Sequence, residues 1–253
     1  VLNTAQRHGW LPFVPNLSPP YRASGKIVHR AWFSPEEYKQ LYDATRQRAS
    51  NPPKPRWKWA CEQLHDFVLV MVNTGLRPDE AWRLEYRDVE IVDDEDSGET
   101  ILEISVRGKR GVGYCKSMPG AVHPFKRLRD RPKPNDMGRG QRSATKDDGK
   151  SRSSDRAPTD LLFPKRHREL FNEILTERNL KKDREGNAHT FYSLRHTYIS
   201  MRLMEGADIY QIAKNCRTSV EMIEKYYASH IKNMIDASAV NVRKNRPNDG
   251  TSK

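Results

Sequence analysis

The sequence predicts a mainly α-helical domain that carries one small antiparallel β-sheet (an α+β chain). Three observations point there. Helix starts, helix stops and apolar spacing of helical period recur on both sides of a central region. Within that region Val89–Val92, Ile101–Val106 and Val112–Cys115 are short β-branched runs, separated by acidic or glycine-containing turns. Hydrophobic residues make up 36% of the 253 residues, enough for a core, while 31% are charged.

Taken in order, residues 1–30 hold a helix end at Leu2–His8 and then Pro12, Pro15, Pro19 and Pro20. They read as a linker leaving an earlier domain. The opening Val-Leu-Asn has neither an initiator Met nor a signal peptide, so the chain is expected to be an excerpt of a longer polypeptide. The main domain is expected over residues 31–235. It begins with Ser34-Pro35-Glu36-Glu37, an N-cap, a proline at the first helical position and a glutamate where a capping box needs it. That helix should reach about Arg48, before Pro52, Pro53 and Pro55 break the chain. Trp57–Val72 reads as a buried helix closed by Asn73-Thr74-Gly75, with a short helix over Pro78–Leu84 after the turn.

After the strands, residues 126–152 carry 10 Lys or Arg against 4 Asp and almost nothing apolar. A basic loop insertion is expected over about 126–158, solvated or in contact with phosphate. Helical periodicity returns at Pro164–Asn179, Phe191–Met204, Ile209–Asn215 and Ser219–Ser229, and residues 236–253 form a tail. No internal repeat is visible.

Composition narrows the function classes. The longest apolar run, Phe67–Val72, falls far short of the ~20 residues that span a bilayer. Cys61, Cys115 and Cys216 are widely separated without metal-ligand spacing, and read as buried, reduced thiols in a cytoplasmic protein. Lys and Arg number 45 against 33 Asp and Glu, a net charge of +12 that favours a polyanionic partner, most commonly nucleic acid.

Three segments concentrate chemistry-bearing residues: Thr74-Gly75-Leu76-Arg77-Pro78-Asp79-Glu80; Tyr192-Ser193-Leu194-Arg195-His196-Thr197-Tyr198; and Thr218 through Tyr226-Tyr227. Breaking a phosphodiester without a metal needs fixed positive charge on the non-bridging oxygens, a nucleophile, a base and an acid for the leaving oxygen. Two guanidinium forks match the oxygens in shape and keep their protons. A tyrosine phenol, with a pKa of ~10, suits the nucleophile if helped. A phosphotyrosine bond retains the energy needed to reseal the strand.

These segments resemble the boxes of the tyrosine recombinase (phage integrase) family, which pairs Thr-Gly-Leu-Arg-x-x-Glu with His-x-x-Arg-His-Thr and a terminal tyrosine. Arg77 and Glu80 fall on the first box, Arg195, His196 and Thr197 on the second. Gly206 matches a family glycine between helices. Tyr227 falls where the family places its nucleophile without a gap, and Tyr226 is one residue out of register. Lys109, in Val106-Arg107-Gly108-Lys109-Arg110-Gly111, occupies the hairpin where the family carries a lysine. The likeness covers roughly residues 31–235. Two positions depart from it: Tyr192 stands at a usual histidine, and Thr218 at a usual histidine or tryptophan.

The resemblance implies the recombinase catalytic fold and DNA cleavage through a 3′-phosphotyrosine. Tyr227 would be the nucleophile, Arg77 and Arg195 the phosphate ligands, and Lys109 the general acid, with Lys116 as fallback. Glu80, His196 and Thr218 would support them, and Arg107, Arg110 and Lys116 would contact DNA. His189 or His196 stands in for the missing imidazoles. Tyr192 reads as a packed core aromatic and His230 as a helix-end residue. Double-stranded DNA with att-type sites is the implied partner, bound by a tetramer of chains that are monomers in isolation; no cofactor, metal or membrane is implied. Two further readings stay open: a non-cleaving DNA-binding accessory protein on the same fold, and a type IB topoisomerase.

Overall fold

A computed structural model describes residues 2–10, 12, 30–95, 97–108, 111–131 and 156–231. A short N-terminal helix, α1 (Leu2–Arg7), stands apart in sequence from the main body. That body opens with α2 (Pro35–Ser50), and its start is the capping box read from the sequence. The Ser34 hydroxyl accepts from Glu37 N at 3.2 Å, and the Glu37 carboxylate accepts from Ser34 N at 2.8 Å. Two otherwise orphaned amides are thereby satisfied.

Helix α3 (Lys58–Thr74) is the buried axis of the molecule. It ends because Gly75 adopts φ 65°, a left-handed conformation that glycine takes without Cβ strain, with its N–H bonded to Met71 O. The chain turns directly into α4 (Pro78–Ala81). The sheet follows, with β1 (Val89–Asp94), β2 (Glu99–Gly108) and β3 (Gly111–Lys116) antiparallel in the order β1-β2-β3. In register, Val89, Ile104 and Cys115 lie side by side, and all three are buried.

The sequence reading missed α5 (Val122–Asp130), whose last residues it assigned to the basic loop. Val122, Phe125 and Leu128 form one buried stripe, but Lys126, Arg127 and Arg129 interleave with it and mask the helical period. Arg127 and Arg131 both close on Asp66 of α3, which is fully buried. Residues 132–155, the rest of the expected insertion, lie outside the described residues, as do most of the expected linker and the tail from 236. The chain returns packed rather than looped: Leu162 N bonds to Leu84 O at 2.9 Å, and Leu162 and Phe163 are core residues.

Helix α6 (Arg168–Glu177) starts later than expected, because His167 before it sits at φ 29°. The last three helices are α7 (Phe191–Met204), α8 (Ile209–Asn215) and α9 (Val220–Ile231), close to their expected bounds. Helix α7 divides the core. Phe191 and Leu194 belong to the large cluster built on α3, whereas Tyr198, Ile199 and Leu203 belong to a smaller one with Ile212, Cys216, Ile223 and Tyr227. Arg195 and His196 therefore emerge at the seam between two packed bodies. No helix among the described residues is long and apolar enough to cross a membrane.

Candidate active site

The left-handed turn at Gly75 buries Leu76 completely and leaves Arg77 at the N-cap of α4. Glu80, one turn into that helix, accepts from Arg77 N and from Arg77 Nη1, each at 2.8 Å. Arg195 reaches the same place from α7. Its Nη1 donates to Gly75 O at 2.6 Å and its Nη2 to Cys216 O at 2.7 Å. Arg77 Nη2 donates to the next carbonyl, Arg217 O, at 2.9 Å. Two adjacent carbonyls in the α8–α9 turn thus anchor two guanidinium groups from different helices. Like charges close together repel, so this arrangement holds only because backbone dipoles and Glu80 compensate.

The electrostatics follow from burial. Arg195 is 5% exposed, and burial lowers its pKa, with Arg77 pushing the same way; a guanidinium still keeps its proton. Burial would raise the Glu80 carboxyl, but the bonds from Arg217 and Arg77 outweigh it and hold the group below the usual carboxylate range.

Tyr227 completes the group. It interrupts α9 with φ −128° and ψ 15°, a non-helical backbone that directs its ring inward. The phenol oxygen lies 2.5 Å from His196 Nδ1, and Tyr227 is 5% exposed. Burial raises the phenol pKa above its ordinary range, against the opposing field of Arg195. Burial also holds His196 at about 3, with Arg30 and Arg195 adding to the effect. A neutral imidazole therefore meets a neutral phenol at hydrogen-bond distance, and the imidazole tautomer decides which of the two donates. Tyr226, the neighbouring tyrosine, instead lies under the Arg30 guanidinium, 3.9 Å from its ring centre.

The fold has counterparts among solved structures. The XerA recombinase matches over 92% of this chain and 70% of its own, at 20% identity and a TM-score of 0.54. The catalytic domain of bacteriophage HP1 integrase matches over 84% and 95%, at 17% identity and a TM-score of 0.51. The XerH site-specific recombinase bound to difH substrate matches over 81% and 52%, at 13% identity and a TM-score of 0.53. The chain has the fold of the tyrosine recombinase catalytic domain. It spans about half the length of the XerH chain (52%). No protein-family model and no curated protein matches the sequence.

On this recombinase fold, the other expected site residues separate into distinct groups. Lys109 and Arg110 lie outside the described residues. Arg107 on β2 is paired with Asp88 at 2.6 Å, and Lys116 on β3 with Asp94 at 2.5 Å, so each already has an acidic partner. Thr218 sits in the α8–α9 turn beside the carbonyls that hold the arginines, its N–H bonded to Ala213 O. His189 does not join the cluster: its ring nitrogens face Leu180 O and Trp32 O, and the ring stacks on Phe33. His196 is the imidazole that does. Tyr192 is 40% exposed and not a packed core aromatic, because it starts α7 on the outer face, with its ring centre 6.1 Å from that of His196. The side chain of His230 is outside the described set.

Sequence reasoning overlooked Arg217, whose guanidinium bonds Glu80 Oε2 at 2.5 Å. Its one sequence signal was a position beside Thr218. All three cysteines are buried free thiols; burial pushes Cys115 up to about 12, so it stays protonated. Among the described residues, no three His, Cys, Asp or Glu side chains are grouped to hold a metal ion.

Proposed function

We propose that this chain cuts and rejoins DNA by transesterification, as a site-specific recombinase (integrase) of a phage or another mobile element. The observation that carries the reading is the convergence of Arg77, Arg195 and the His196–Tyr227 pair around the Cys216 and Arg217 carbonyls. In this reading, the free N–H donors of Arg77 and Arg195 take the non-bridging oxygens of the scissile phosphate. The phenol oxygen of Tyr227 attacks phosphorus while its proton passes to His196. The bond from phosphorus to the 5′ oxygen breaks, and Lys109 protonates that oxygen. A 5′ hydroxyl of a second strand then attacks the phosphotyrosine and restores the phenol. No external energy source is consumed.

An imidazole held at about 3 is a poor base in the free protein. The incoming phosphate supplies a negative charge that favours the imidazolium, so His196 becomes basic only when DNA is bound. The net charge of +12 and the difH substrate held by XerH both fit a DNA partner. The proposed assembly is a tetramer on paired att-type sites in a bacterial cytoplasm, formed from monomers.

One observation favours a second reading. Tyr227 is buried and its phenol already bonded, which also suits an accessory protein that binds DNA without cutting it. A nicked suicide substrate, whose released fragment cannot religate, separates the two. A recombinase accumulates a denaturation-resistant protein–DNA product, whereas an accessory protein shifts the DNA and leaves none. Relaxation of supercoiled DNA without site preference would mark a type IB topoisomerase instead.

A further inference from the structure

Arg217 lies in the α8–α9 turn with φ 51°, a left-handed backbone that a bulky side chain adopts only when its surroundings impose it. Its side chain is 17% exposed and touches three separate elements. Nη2 bonds Glu80 of α4 at 2.5 Å, and Nη1 donates to Asn215 O at the end of α8 at 3.0 Å. Its stem lies so close to Gly113 of β3 that a Cβ there would stand 2.7 Å from Arg217 Cδ. Its own carbonyl accepts from Arg77. Gly113 is not among the glycines with positive φ, and a glycine inside a strand weakens it. The Arg217 stem gives that glycine its reason.

We infer that Arg217 is a positioning residue that locks the β2–β3 strand pair, Glu80 and Arg77 into one rigid arrangement. By sharing Glu80, it keeps that carboxylate from drawing the Arg77 guanidinium wholly onto itself, leaving Arg77 donors for a phosphate. By filling the space over Gly113, it fixes how close the hairpin stands to the arginine pair. Arg217 itself need not touch DNA.

The consequence for cleavage rests on the function proposed above, and the test keeps the two apart. It compares the full chain with Arg217→Gly, Gly113→Ala, the double variant and Arg217→Lys. Glycine adopts φ 51° freely, so Arg217→Gly removes the side chain without imposing backbone strain. Single-turnover cleavage at saturating DNA should fall about 10–100-fold in Arg217→Gly, as small misplacements at reacting groups do. DNA affinity should stay unchanged, and Arg217→Lys, which retains stem and charge, should recover most of the rate. Gly113→Ala should slow cleavage in the parent chain but add nothing to Arg217→Gly, since its methyl then meets no stem. A wild-type rate in Arg217→Gly, or losses that multiply in the double variant, would overturn the inference. Should the parent chain form no covalent product, the proposed function fails, and thermal unfolding of the same variants decides this inference alone. A melting-temperature loss from Gly113→Ala that disappears in the Arg217→Gly background supports the clamp, and additive losses refute it.

Discussion

Arg195 commits N–H donors to Gly75 O and Cys216 O, carbonyls from opposite halves of the chain. Lysine at this position keeps the charge but can satisfy neither the fork nor both carbonyls. Arg195→Lys should therefore slow cleavage by about 10²-fold or more, on the scale of removing one oxyanion donor, as read by single-turnover kinetics. Near-normal cleavage would take Arg195 out of the reacting centre. Lys109 calls for a different probe. If it protonates the leaving oxygen, Lys109→Ala should be rescued by a substrate with sulfur as the bridging 5′ atom, because a thiolate leaves without an acid; Arg77→Ala should not be. Equal loss on both substrates would reassign Lys109 to phosphate binding. Arg77, Arg195 and Tyr227 could be singled out as candidates because each lies in a short local motif with an unusual residue pattern, and the structure brings them together. Arg217 could not, because its role arises from a left-handed backbone and from contacts with Gly113 and Glu80, far away in sequence. The choice of His196 over His189 was equally invisible, since it depends on which ring nitrogen meets a carbonyl and which meets Tyr227.

At the scale of elements, the α3–α4 turn carries the most consequence. Gly75 terminates α3 at φ 65°, and a Cβ there would stand 2.4 Å from Tyr198 Cδ1 and 2.8 Å from Cys216 Sγ. Gly75→Ala combines left-handed strain with overpacking at the seam of the two cores, a loss of roughly 2–5 kcal/mol in all. Urea unfolding should register it, and a change below about 1 kcal/mol would mean that the turn absorbs a methyl. The helix boundaries at Ser34, Gly75 and Pro78 could be read closely because caps and fixed φ act locally. Helix α5 escaped notice for the converse reason. Its apolar stripe of Val122, Phe125 and Leu128 carries too few residues to outweigh the arginines around it, and the Asp66 that receives Arg127 and Arg131 lies on another helix.

At the scale of the molecule, His65, His167 and His196 among the described residues make stability sensitive to acid. Burial holds His65 and His167 at about 4 and His196 at about 3, each below its ordinary 6.5. Between pH 6.5 and about 4 the unfolded chain binds protons that the folded chain refuses, so stability falls as the pH drops through this window. The stabilisation is fully present above 6.5. The melting temperature should be lower at pH 5 than at pH 7.5 by on the order of 5–10 °C, and a flat profile would contradict neutral burial of these rings. The basic surplus and the helix–sheet–helix order were legible at this scale because both are sums over many residues. The division of the core by α7 was not, since no local pattern tells which apolar face meets which partner. That division brings Tyr227 of α9 against His196 of α7, and in the proposed reaction this phenol becomes the covalent link to DNA. The direct test is to trap the product on a nicked suicide substrate, digest it and locate the nucleotide-bearing peptide by mass spectrometry, alongside Tyr227→Phe and Tyr226→Phe. DNA should be attached at Tyr227, Tyr227→Phe should give no product despite normal DNA binding, and Tyr226→Phe should retain the product. Attachment at Tyr226, or covalent product from Tyr227→Phe, would contradict the proposed reaction.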